Sequence, residues 1–164
     1  MEYIRLNNDS VFRLGIKDKD GNVKVDENGK EICLEFDLED IEAPVKYNKC
    51  DFLVKKAQND LRMKLNVIDK KPDKKGKYLL SSNEEEKVKA MQDYFKSLEE
   101  AMDLFLGQGG TKKVFGNRRY WTMWDDLNDM IEPFLPKMKT NFEDITKKIK
   151  NKYSNKETDV LKDE

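Results

Sequence analysis

A chain of 164 residues suits one domain and is short for two. Charged residues make up 40% and apolar ones 37%, against roughly 25% and 45–50% (glycine counted) in an ordinary globular chain, so the core must be thin. Lys plus Arg (32) balances Asp plus Glu (33) and histidine is absent, which disfavours general coating of nucleic acid and removes both the usual neutral-pH proton shuttle and the commonest zinc ligand.

The amino terminus, MEYIRLNNDSVFRLG, lacks a charged n-region and a sustained apolar stretch, so no export signal is expected there. From residue 11 to 40, alternation at Val11, Arg13 and Gly15 and again at Ile32, Leu34, Phe36 and Leu38 predicts strands. Asp20-Gly21 and Asn28-Gly29 are turn dipeptides, so the segment folds back as a hairpin or short meander. Asp18, Asp20, Asn22 and Asp26 hint at a calcium loop, but the glycine required after the third ligand is Val23 here. Calcium is rejected.

Ala43-Pro44 breaks the pattern, and a helix is expected over 45–68, with Leu53, Ala57, Leu61, Leu65 and Ile68 on one face. Residues 69–80 read as a basic, solvated linker: DKKPDKKGK carries five lysines and nothing apolar to bury. Without interleaved aromatics it is a poor nucleic-acid surface. Ser82 with Glu85 has capping-box spacing, opening a helical part over 82–150. Its first stripe is Val88, Met91, Phe95, Leu98, Met102, Phe105 and Leu106, ending at GQGG. Next come Trp124, Leu127, Met130, Ile131, Phe134 and Leu135 after Thr122, with Pro133 bending or shortening that helix. Phe142, Ile145, Ile149 and Tyr153 follow a second capping-box spacing at Thr140 and Glu143. Residues 151–164 have little to bury and read as a mobile tail. The fold expected is therefore α+β, mainly α: an N-terminal hairpin and about four helices, in a single domain over 1–150.

Chemistry is sparse. Cys33 and Cys50 lack CxxC spacing and read as small reduced thiols. GGTKKV does not fit the phosphate loop, which needs glycine directly before the lysine and a hydroxyl directly after it. No serine or cysteine has a histidine base. No catalytic residue, cofactor or metal is expected, and no apolar run approaches the roughly 20 residues of a membrane span.

What remains is a concentration of methionine and aromatic side chains in the carboxy-terminal half. Much of it is needed as core, but part can line an adaptable groove for an apolar partner helix. Met102, Phe105, Leu106, Phe115, Tyr120, Trp121 and Trp124 are the candidate partner-binding residues. Trp121 discriminates: it precedes the helix start at Thr122, and exposure there would favour binding.

The order DKDGN, FDLEDIEAPVKYNK, VIDKKPDKKGKYLLSSNEEEK, AMDLFLGQGGTKKVFG and YWTMWDDLNDMIEPFLPKM, over roughly residues 12 to 138, resembles the tail-assembly chaperones of siphophages and prophages of Gram-positive bacteria. DLFLG-x-GG is the most specific part. The resemblance implies a non-enzymatic protein of the host bacterial cytoplasm that binds the tape measure protein, keeps it soluble, and yields it as tail tube subunits arrive. It names the tape measure protein, and second the major tail tube protein, as partners, and leaves self-association open. The competing readings are a connector- or terminator-type tail component retained in the virion and, less favoured, a nucleic-acid-binding regulator using Lys70 to Lys77 with Arg118 and Arg119.

Overall fold

Two similar turns, eight residues apart, shape the amino-terminal segment. The Asp18 carboxylate accepts hydrogen bonds from the backbone N–H groups of Asp20 and Asn22, both at 2.9 Å, and Gly21 N–H closes onto the Asp18 carbonyl. Asp26 repeats the arrangement with Asn28, Lys30 and Gly29. Gly21 and Gly29 sit at φ 82° and 77°, where a side chain would be strained. The donors, Asn22 N–H first, hold the Asp18 carboxyl below its ordinary range. The turns set Lys24 between Ile16 and Ile32 in a short meander.

The computed structural model describes residues 1–4, 11–37 and 39–162, with side chains as far as Ser154; Leu38, the last position of the expected alternation, lies outside them. Beyond the turns, β1 (Val11–Gly15) pairs antiparallel with β2 (Cys33–Asp37), in register from Val11 opposite Asp37 to Gly15 opposite Cys33. Leu34 and Ile16 are buried, and the Phe12 ring lies 4.7 Å from that of Phe134. Helices follow: α1 (Ala43–Asp69), α2 (Ser82–Leu106), the six-residue α3 (Gly110–Phe115), α4 (Met123–Ile131) and α5 (Leu135–Lys162). The mainly helical α+β architecture is as the sequence predicts. Its contacts group into two compact units, Met1–Val45 with Asn128–Glu164, and Lys46–Leu127.

In the second unit, Cys50, Val54, Ala57, Leu61 and Ile68 form the buried face of α1. On α2 the buried stripe is Ala90, Tyr94, Leu98, Ala101, Met102 and Phe105. It is rotated from the expected one, leaving Val88 and Met91 about two-fifths exposed (40% and 41%). Ala90 and Ala101 lie on the buried face, and a count of large apolar residues overlooks them. The Tyr47 ring meets Phe105 edge-on at 5.7 Å and stacks on Trp124 at 6.4 Å, so the start of α1 packs against the end of α2 and the start of α4.

The expected basic linker over 69–80 is in fact a clamped closure. Its lysines face water, but Asp73 Oδ1 accepts from Ser82 Oγ at 3.2 Å and from Asn83 N–H at 3.1 Å. Lys74 N–H donates to Ser82 Oγ, and Ser82 N–H to the Lys74 carbonyl. The buried Asn83 amide donates to the Ile68 and Lys71 carbonyls, tying the start of α2 to the end of α1 and the turn that follows it. A Cβ on Gly76 would lie 1.6 Å from the Leu80 carbonyl oxygen, so only glycine fits there. With Ser82 engaged by the closure, the capping box forms one residue earlier, between Ser81 and Glu84.

Asp73 is held below the ordinary carboxylate range, chiefly by the Asn83 N–H. A depressed native pKa means that this contribution is present above the unfolded-state value, about 4, and is lost as pH falls through the native one. A ¹³C-carboxyl NMR titration should place the Asp73 midpoint below the ordinary aspartate value, with the Asn83 amide proton moving at the same midpoint. An ordinary midpoint would refute the clamp.

In the first unit, Pro133 stops α4 at Ile131 and a 3₁₀ turn, Glu132–Phe134, leads into α5. The spacing at Thr140 and Glu143 does not open a helix: α5 starts at Leu135, with Pro136 in its first turn, where proline is tolerated. The backbone of α5 runs on past residue 151 to Lys162. No proline or glycine interrupts residues 137–162, and extending an existing helix costs far less than nucleating one.

Candidate partner-binding surface

The seven candidate residues all lie in the second unit, on the path from the end of α2 to the start of α4. Gly107 and Gly109, at φ 89° and 75°, end α2. The Asp103 carboxylate then gathers the turn, accepting from Thr111 Oγ1 at 2.6 Å, Thr111 N–H at 2.9 Å and Gly109 N–H at 3.3 Å. These amides already serve a carboxylate of the chain itself. GQGG is therefore a clamped turn, consistent with the failure of the phosphate-loop spacing.

From this turn α3 buries Val114 and Phe115, and Gly116 N–H returns to the Lys112 carbonyl at 2.7 Å. Tyr120 braces the next loop. Its ring meets Phe115 edge-on at 5.8 Å, the Arg118 guanidinium lies 5.5 Å from the ring centre, and its hydroxyl donates to Asp126 Oδ2 at 2.8 Å. Burial, aided by the Asp126 carboxylate, pushes the Tyr120 phenol up to about 12. Arg119 reaches Glu99 at 3.8 Å, and Met123 N–H donates to the Tyr120 carbonyl. On this braced loop Trp121 stands 76% exposed.

Burial sorts the seven. Met102, Phe105, Phe115 and Trp124 are buried side chains. Helical spacing assigns a residue to a stripe but does not say whether a neighbour covers that stripe. Leu106 and Tyr120 are half-buried, and Trp121 alone of the group is open. The sequence reading missed Phe52, Met63 and Val67 of α1, exposed at 66%, 55% and 58%. Their separations of eleven and four residues put them on one helical face, roughly opposite Cys50, Val54 and Leu61. That spacing was the available signal.

Among the described residues no group of three or more His, Cys, Asp or Glu side chains could hold a metal ion, and no helix is long and apolar enough to cross a membrane. Cys50 is fully buried, and burial raises its thiol to about 12, far from the thiolate needed for nucleophilic or redox work. Cys33 is partly exposed. Mass-resolved alkylation of the native protein should modify Cys33 and reach Cys50 only after denaturation; native labelling of Cys50 at a comparable rate would contradict its burial.

Comparison of the chain with protein-family models, with curated proteins and with solved structures finds no match.

Proposed function

We propose that this protein is a tail-assembly chaperone that binds the tape measure protein and holds it soluble while the tail tube is built. The observation that carries the reading is Trp121: a large side chain 76% exposed on a loop fixed by Tyr120, Asp126 and Phe115. Exposing a tryptophan in water forfeits its burial energy unless a partner covers it, and tryptophan is enriched among residues that dominate binding interfaces. Bracing the loop lowers the entropy lost on docking. Holding and releasing a chain in this way requires no cofactor and no bond-making step.

Co-expression with the neighbouring tape measure gene should raise the soluble yield of that product and give a complex that co-purifies. Failure to form a complex at any ratio would refute the proposal. Mass spectrometry of purified particles separates the alternatives: a chaperone is absent from the virion, whereas stoichiometric retention would transfer the assignment to a structural tail component.

A further inference from the structure

The closure that joins α1 to α2 carries a second surface, in the second unit and independent of the tape-measure reading. Its ends are tied: Ser82 N–H donates to the Lys74 carbonyl, Lys74 N–H donates to Ser82 Oγ, and the Gly76 backbone lies against the Leu80 carbonyl. Residues 77–79 therefore form the tip of a tight loop. On that tip Tyr78 is 87% and Leu79 92% exposed, an aromatic and an aliphatic side chain side by side with almost no protein around either. Both forfeit their burial energy in water unless something apolar receives them.

The charge of the loop narrows what can receive them. The tied segment, 74–82, reads KKGKYLLSS, with three lysines and no acidic residue. Lys74, Lys75 and Lys77 are exposed, and Lys77 Nζ lies 5.6 Å from the centre of the Tyr78 ring. The acids nearby lie outside the tie: Asp69 pairs with Lys87, Glu86 with Lys71, Asp73 holds Ser82 and Asn83, Glu84 completes the cap of α2, and Glu85 follows in its first turn. An anionic lipid surface matches the whole tip. It attracts each lysine, seats tyrosine at headgroup level with its hydroxyl in water, and takes leucine at the acyl boundary. A nucleic-acid strand would stack on Tyr78 but offer Leu79 nothing, and a protein partner would need a pocket shaped to this convex tip. We infer that the loop centred on Tyr78 and Leu79 docks the protein reversibly on anionic lipid. Docking of this kind needs no spanning helix.

The test uses the full chain with vesicles of phosphatidylcholine alone and of equal parts phosphatidylcholine and phosphatidylglycerol. Co-sedimentation should show the mixed vesicles bound at least about tenfold more tightly, with the preference fading as salt rises. Leu79→Ser should weaken that binding about tenfold, and the triple variant Lys74→Glu, Lys75→Glu, Lys77→Glu should abolish it, both with circular dichroism unchanged. The matching variant on α5, Lys147→Glu, Lys148→Glu, Lys150→Glu, also changes three exposed lysines and should bind as the parent does. Equal uptake by both vesicles, uptake by neither, or binding that survives the loop variants and is lost in the α5 variant would overturn the inference. So would Tyr78-dependent binding of an oligothymidylate strand, or capture of a polyglutamate peptide, in place of vesicles. None of these readouts involves the tape measure protein, so the outcome leaves the chaperone proposal to its own test.

Discussion

Replacing Trp124 with alanine should cost about 3–5 kcal/mol of stability, whereas the same replacement at Trp121, three positions away, should cost within about 0.5 kcal/mol and act on binding instead. Trp124 is 6% exposed and stacks on Tyr47, so truncation opens a cavity where α1, α2 and α4 meet. Trp121 has little around it to lose. Under the proposed function, its truncation should weaken tape-measure binding by about 1–2 kcal/mol, some five- to thirtyfold, as expected for an interface anchor. Chemical denaturation followed by circular dichroism avoids the tryptophan signal that both variants alter, and pull-down titration reports the binding. Equal destabilisation by the two variants would make Trp121 structural, and undiminished binding by Trp121→Ala would remove this loop from the interface.

The second large effect is expected at Asp103. Asp103→Ala leaves the N–H and hydroxyl of Thr111, a residue only 3% exposed, without the carboxylate that receives both. The hydroxyl keeps a long contact to the Glu99 carbonyl at 3.4 Å but the N–H is stranded, and stranding a buried donor costs about 1–3 kcal/mol, so a loss of about 2 kcal/mol is expected. Thr111→Val removes the hydroxyl and keeps the amide, and should cost about 1 kcal/mol. The double variant should cost less than the two single effects added together, since both act on one hydrogen-bonded pair. Additive losses would mean that Asp103 and Thr111 contribute separately, and no loss at Asp103 would show that the glycines hold the turn unaided.

The elements were largely legible because their signals are local. Asp18 and Asp26 each supply a carboxylate to the turn that follows, Gly21 and Gly29 supply the positive φ, and Pro133 removes a donor and ends α4. Where local signals competed, reading was harder. Ser81 and Ser82 both have a glutamate three residues on, and only the requirement of Asp73 and Lys74 for a hydroxyl partner decides that Ser81 caps α2. The seven candidate residues were legible as one apolar group and not as core or surface.

The sequence by itself determined the turns, the helical stretches with their apolar stripes, and the absence of histidine chemistry, since these depend on residue type and on spacing within a few positions. The tertiary structure alone decided that 69–80 is a clamp, that Trp124 is inside and Trp121 outside, and that α5 is covered at Met138 but open at Ile149. Each of those outcomes depends on which atoms arrive from elsewhere in the chain. An apolar side chain is core only where another surface excludes water from it, and no spacing within one helix encodes that surface.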